Sequence, residues 1–202
     1  MEENAKIILA SNSERRRNLS EQMKIPYKII VPNCSEEIPN GIKAEDAPLL
    51  LAERKAFSVA SVLKENESSL ILAADTMIIF DSRAIGKAKN EEEAKKFLKD
   101  FSGKCHSVIT GVALLNSRSG KLISKKEITK VEFSSMTNSE IDWLVKTEEW
   151  KDAAGAYKIQ GISGCFIRKI QGSYTNVVGL PISTVYDMLK AQGFNLQYIV
   201  RQ

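Results

Sequence analysis

One stretch constrains what this chain can fold into more than any other. Residues 70–81 read LILAADTMIIFD, an apolar and partly β-branched run with the character of a buried strand. Inside it stands Asp75, with Thr76 beside it. An isolated carboxylate removed from water is costly unless it is paired, hydrogen-bonded or metal-bound. A chain that builds this strand into its core must therefore bring compensating groups to Asp75 from elsewhere.

The neighbouring segments indicate what kind of core that is. KIILA (6–10) reads as a second buried strand, followed at once by a helix from Ser13 to about Met23, and YKIIV (27–31) as a third strand ending at Pro32. A loop rich in acids, with Pro39 and Gly41, leads to a long helix from about Asp46 to Lys64. Asp46 is placed as its N-cap, with Pro48 in the first turn. After the Asp75 strand, DSR is expected to turn into AIG as a hairpin. Asn90 and Glu93 make a capping-box-like start to the helix EEEAKKFLKDF, which stops before Gly103. HSVITGVALLN and KLISKKEITKVEF surround SRSG as a hairpin, and Thr137 with Glu140 opens a short helix through Val145. GCFIRKIQGSY is strand plus turn, and Pro181 begins a final helix. Strands and helices interleave, yet long strands also adjoin. This predicts an α/β fold, with a mixed β-sheet flanked by helices and one or two compact lobes.

Bulk properties narrow the function classes. Hydrophobic residues at 43% and charged residues at 27% of 202 describe an ordinary globular chain. A net charge of +4 and 7% aromatics fall short of the dense basic stripe a nucleic-acid binder needs, though they suit a protein handling small anions. No apolar run is long enough to span a bilayer. Met1, Glu2 and Glu3 open nothing like a signal peptide, so a cytoplasmic location is expected. Cys34, Cys105 and Cys165 form no C-x-x-C pair and are expected to be buried or incidental. His106 is the only histidine, which leaves no His-pair metal site, and no serine stands in a G-x-S-x-G elbow to support a triad.

The chemistry points to ASNSERRRNL, residues 10–19. Ser13 is placed to cap the helix, and Arg15, Arg16 and Arg17 occupy its first turns. Exposed cations there oppose the macrodipole by about 0.3–1 kcal/mol each, whereas a bound anion reverses the sign. Solvated arginines paired with Glu14 and Glu21 are the alternative, and Arg17 is the one expected to be bystander surface. The phosphate-loop pattern G-x-x-x-x-G-K-[ST] is absent, as is G-x-G-x-x-G before a helix. Lys55 lies in LLLAERKAFSVA, and Lys87 follows a glycine in IGKAK. Each reads as surface lysine taken singly, but with the arginines they are able to surround a polyphosphate. Such a ligand arrives with Mg²⁺, which takes oxygen donors; Asp75 with Glu36 or Glu37 would supply them. Gln160, in DAAGAYKIQGISG, offers an amide that donates and accepts together, as reading a nucleobase edge requires. Trp143 and Trp150 are expected in the core rather than stacked on a base.

Taken together, LASNSERRR, ERKA, AADT, IGKAK, FSGKCHSVITGVAL, AGAYKIQG and GSYTNVVGLPIS, in this order and spacing, resemble the Maf family of nucleoside triphosphate pyrophosphatases, also described as septum-formation inhibitors. The resemblance runs from about residue 6 to residue 190. It implies a single domain over 1–202 with two lobes and a central cleft, related to the inosine-triphosphate pyrophosphatases. It implies cleavage between the α- and β-phosphates with a divalent cation (Mg²⁺, Mn²⁺ or Co²⁺). Asp75 matches the family's proton acceptor; Ser11, Arg16, Glu37, Lys55 and Lys87 match its polar active-site positions. Arg15, Thr76 and Gln160 match the trio of the branch acting on dTTP and UTP, where the 7-methyl-GTP branch has Trp, Gln and Glu. Glu14, Ala88, Ala153 and Lys158 depart from the family pattern. The expected partner is therefore a nucleoside triphosphate, with CTP or modified pyrimidines as further substrates, no nucleic acid and no membrane; a homodimer is left open. A non-catalytic nucleotide-binding regulator of cell division, or the 7-methyl-GTP branch of the same family, is the alternative.

Overall fold

The computed structural model describes residues 6–64, 67–194 and 196; Met1, Glu2 and Glu3 lie outside them. Seven strands form one sheet: β1 (Lys6–Ala10), β2 (Tyr27–Ile29), β3 (Ser69–Phe80), β4 (Arg83–Ile85), β5 (Cys105–Asn116), β6 (Leu122–Phe133) and β7 (Ile167–Gln171). Their order is β2-β1-β3-β5-β6-β7, with β4 on β3. β1 runs parallel to β2 and β3, whereas β3–β4 and β6–β7 are antiparallel, so the expected mixed sheet is present. Helices α1 (Glu14–Gln22), α2 (Ala47–Ala60), α3 (Glu91–Phe101), α4 (Asn138–Lys146), α5 (Tyr174–Val178) and α6 (Ile182–Ala191) complete the α/β fold. None is long and apolar enough to cross a membrane.

Local chemistry sets most helix starts. The Ser13 side chain accepts from the Arg16 N–H, and Asn90 Oδ1 accepts from Glu93 at 2.9 Å. Glu93 returns its carboxylate to the Lys89 N–H rather than to the cap itself. Thr137 and Glu140 form a full capping box. Asp46 holds the expected cap position without the cap bond. It occupies the cap position of α2 in a helical conformation and makes no cap hydrogen bond; its carboxylate instead accepts from Lys126 Nζ at 2.6 Å. The Asp81–Ser82 turn carries both residues at positive φ, as a tight two-residue hairpin demands.

Two compact units emerge. One comprises the chain up to Thr76, Thr110–Glu127 and the chain from Gly179; the other comprises Met77–Ile109 and Ile128–Val178. In the first, α2 rests on the sheet through small residues: Ala52 and Ala56 meet Ala10, Ala73 and Ala113, with Ile8, Ile71, Val59 and Leu115 around them. Gly111 permits the same closeness one turn earlier, since a Cβ there would collide with the backbone of Pro48 and Leu49. The helix therefore lies nearer the strands than larger side chains would allow, and that brings Lys55 within reach of β3.

The second unit is built around Phe101, Phe133, Tyr157 and His106. The His106 ring stacks on Phe101 at 4.4 Å between centroids, and its Nε2 pairs with the Tyr157 hydroxyl at 2.8 Å. The lone histidine is thus a core residue. Trp150 is buried and donates to the Val145 carbonyl, but Trp143, expected in the core, is 47% exposed and lies edge-on to Phe166. Cys105 and Cys165 are exposed and free, the incidental rather than the packing alternative. Cys105 opens β5, and Cys165 lies in a short 3-10 turn over Ile162–Phe166.

Two outcomes are expected. Gly111→Ala forces α2 away from β5 and lowers stability by about 3 kcal/mol, read as a fall in the urea midpoint. Burial pushes the His106 pKa down from 6.5 to about 4. Between those values the unfolded chain binds a proton that the folded chain does not. Stability is therefore complete above pH 6.5 and declines as pH falls, by about 3 kcal/mol in all. Denaturant titrations between pH 7 and pH 5 show that slope in the native chain, and His106→Gln flattens it.

Candidate active site

The parallel register places Ala10, the last residue of β1, opposite Ala73, so Ser11 follows beside the point where β3 carries Asp75 and Thr76. Loops after parallel strands are where α/β sheets place ligands. Because strand residues alternate in facing, Asp75 and Thr76 present to opposite faces, and each gathers its own partners.

Asp75 shares the face of Ala73, against α2. It is 9% exposed, and Lys55 Nζ lies 2.5 Å from its Oδ1. The same ammonium lies 2.8 Å from Glu36 Oε1. One cation thus bridges two carboxylates, and the cost of burying Asp75 is offset by a lysine that is itself 8% exposed. Glu36 approaches from solvent. The Glu37 side chain, expected at the metal, is exposed; its backbone N–H donates to Ser35 Oγ, and its carbonyl accepts from Arg54. Of the two acids, Glu36 is the one that meets Lys55.

Thr76 belongs to the other face. Arg16, in the first turn of α1, donates from Nε to the Gly179 carbonyl at 2.9 Å and from Nη2 to Thr76 Oγ1 at 3.3 Å. A longer 3.5 Å bond runs from Nη1 to Ser11 Oγ, which also accepts the Ser13 N–H. Burial pushes the Arg16 pKa below its ordinary value; Asp75 opposes this, Arg15 adds to it, and Glu36 opposes it again. A guanidinium remains protonated regardless. Those influences place Arg16 within electrostatic reach of both acids and of half-buried Arg15. Arg17 takes part in none of these bonds. Three cations and two carboxylates thus gather around the end of β1.

Lys87 and Gln160 belong to the second unit. Lys87 is exposed, pairs with Asp152 at 3.2 Å and bridges its backbone to Ala154. Gln160 is exposed in the turn closed by the Gly161 N–H on the Lys158 carbonyl. Two members of the first unit's network escaped the sequence. Thr110, fully buried on β5, sits 2.9 Å from Thr76 Oγ1. It carried the same signal as Asp75, a polar residue inside an apolar run. Gly179 contributes a carbonyl, which no side-chain pattern reports; its φ of +119° suits only glycine.

Removing one partner of so enclosed a pair leaves the other charge stranded. Lys55→Met is expected to cost about 3 kcal/mol, with much of it recovered in Lys55→Met/Asp75→Asn, measured as a double-mutant cycle by urea denaturation.

Comparison with known proteins accords with this arrangement. The chain is 38% identical over 199 residues to the dTTP/UTP pyrophosphatase of Treponema denticola, covering 94% of this chain and 98% of that one. It is 40% identical over 190 residues to that of Pelotomaculum thermopropionicum (94% and 98%), and 43% over 185 residues to that of Bacillus cereus (92% and 94%). Superposed on the Staphylococcus aureus Ham1 protein it reaches a TM-score of 0.47 at 15% identity, over 93% of this chain and 99% of the other, a likeness too loose to bear on the fold. A family model for Maf-like proteins matches residues 6–192, and the chain belongs to that family.

Proposed function

We propose that this protein is a nucleoside triphosphate pyrophosphatase that hydrolyses dTTP and UTP, with CTP or modified pyrimidine nucleotides as further substrates, to the monophosphate and pyrophosphate. The observation that carries this reading is the meeting of Arg16, Lys55, Asp75 and Glu36 where β1 ends, in a chain whose relatives are named dTTP/UTP pyrophosphatases.

Each side chain has a task suited to its chemistry. Arg16 offers a planar fork of donors to phosphate oxygens, and two of its nitrogens are already anchored by Gly179 and Thr76, so little freedom is lost when it engages them. Arg15 and the N-terminal N–H groups of α1 add to the anion's attraction. Lys55, a compact cation, balances the carboxylates and the incoming phosphate charge together. Asp75 Oδ1 is engaged by Lys55; in the reaction Oδ2 accepts the proton of the attacking water. In the second unit, Lys87 has the chemistry of a phosphate ligand and Gln160 that of a residue selecting a base; in the first, Thr76 and Arg15 are assigned to base selection.

The donor set also fits a divalent cation. Asp75 and Glu36 present hard oxygen atoms that already share one positive charge. Mg²⁺ is typically held by one or two carboxylates plus substrate phosphates. Among the described residues no group of three or more His, Cys, Asp or Glu converges as a ready-made metal cage, which accords with a cation brought in on the nucleotide. Asp75 and Glu36, with Glu37 next along the chain, would hold it. When bound, such a cation neutralises developing charge on the phosphates.

A panel of nucleoside triphosphates, including dTTP, UTP, CTP and 7-methyl-GTP, with Mg²⁺, Mn²⁺ or Co²⁺ and pyrophosphate as readout, tests this directly. Turnover is expected on dTTP and UTP, and Asp75→Asn is expected to lower it about 10³-fold with the fold retained by circular dichroism. Tight nucleotide binding without pyrophosphate release points instead to a non-catalytic regulator, and wild-type turnover in Asp75→Asn removes that residue from the chemistry.

A further inference from the structure

We infer that Thr110 is a positioning residue for Arg16, acting through the hydroxyl of Thr76. The inference deepens the function just proposed and rests on it only for its kinetic arm. Its basis is donor bookkeeping within the first unit. Arg16 has donors and no acceptor, so the 3.3 Å bond between its Nη2 and Thr76 Oγ1 obliges the threonine oxygen to accept. The single hydroxyl hydrogen of Thr76 must then point elsewhere. Thr110 Oγ1 lies 2.9 Å away and the Gly179 carbonyl 3.5 Å away; either threonine is able to donate across the shorter contact, and Thr76 is taken as its donor because its other acceptor is the more distant. The chain runs from Arg16 to Thr76 to Thr110.

Direction matters here. With its hydrogen committed to Thr110, Thr76 turns lone pairs toward the guanidinium. Without that acceptor, the Thr76 hydroxyl turns to the Gly179 carbonyl, where it competes with the 2.9 Å bond from Arg16 Nε. Loss of one buried hydroxyl thereby loosens two anchors of the arginine. Thr110 is fully enclosed, and its effect on Arg16 passes through the Thr76 hydroxyl. A valine keeps its shape, and a serine keeps its hydroxyl.

The test compares Thr110→Val and Thr110→Ser with the native protein. The first readout is hydrogen exchange of the Arg16 Nε–H by ¹⁵N–¹H spectroscopy, with the resonance identified by its absence in Arg16→Lys. Thr110→Val is expected to speed that exchange about tenfold, as loss of roughly one net hydrogen bond implies, and Thr110→Ser to restore the native rate. The second readout is kcat/KM for dTTP with Mg²⁺, expected to fall about tenfold in Thr110→Val and to recover in Thr110→Ser. If valine is not accommodated, Thr110→Ala supplies the same comparison without added methyl contacts. Native exchange in both Thr110→Val and Thr110→Ala overturns the inference. A native protein that releases no pyrophosphate overturns the proposed function, while the exchange rates still decide the role of Thr110.

Discussion

The ammonium of Lys55 against Asp75 is the interaction on which the first unit depends. A carboxylate in the middle of a core strand is tolerable only beside an opposite charge held at contact distance, and the lysine reaches it because α2 lies close to the sheet. That closeness is written in alanines: Ala52 and Ala56 on the helix, Ala10, Ala73 and Ala113 on the strands, and no side chain at Gly111. Packing and electrostatics are therefore a single constraint. Bulkier residues at these positions would lift the helix and leave the Asp75 charge unanswered.

Strand alternation then divides the site. Asp75 meets Lys55 and Glu36 on one face; the next residue, Thr76, meets Arg16 and Thr110 on the other. Two successive residues of one strand thus anchor an acidic set and a basic set whose charges still sense one another, as the opposing influences on Arg16 record. Such an arrangement suits a ligand carrying both negative charge and a cation.

Much of this was legible along the chain. Helix starts were, because caps are local: Ser13, Asn90 and Thr137 each bond within their own first turn. Asp46 takes the cap position of α2, but its carboxylate pairs with a distant lysine, Lys126, and makes no cap bond. Trp143 misled because composition predicts average burial, whereas the facing of one helix position depends on which neighbour arrives. Glu36 and Glu37 are indistinguishable by type; only the path of the loop decides which one meets Lys55.

The sequence by itself determined the mixed α/β class, the segment boundaries near strong caps and turns, and the oddity of Asp75 inside a strand, since all of these follow from periodicity and local chemistry. Tertiary structure alone decided which cation answers that acid, which of two adjacent glutamates joins it, and that Thr110 and the Gly179 carbonyl steady Arg16. The reason is geometric. Hydrogen bonds and ion pairs act over about 3 Å, and only folding brings residues 16, 76, 110 and 179 to within that distance.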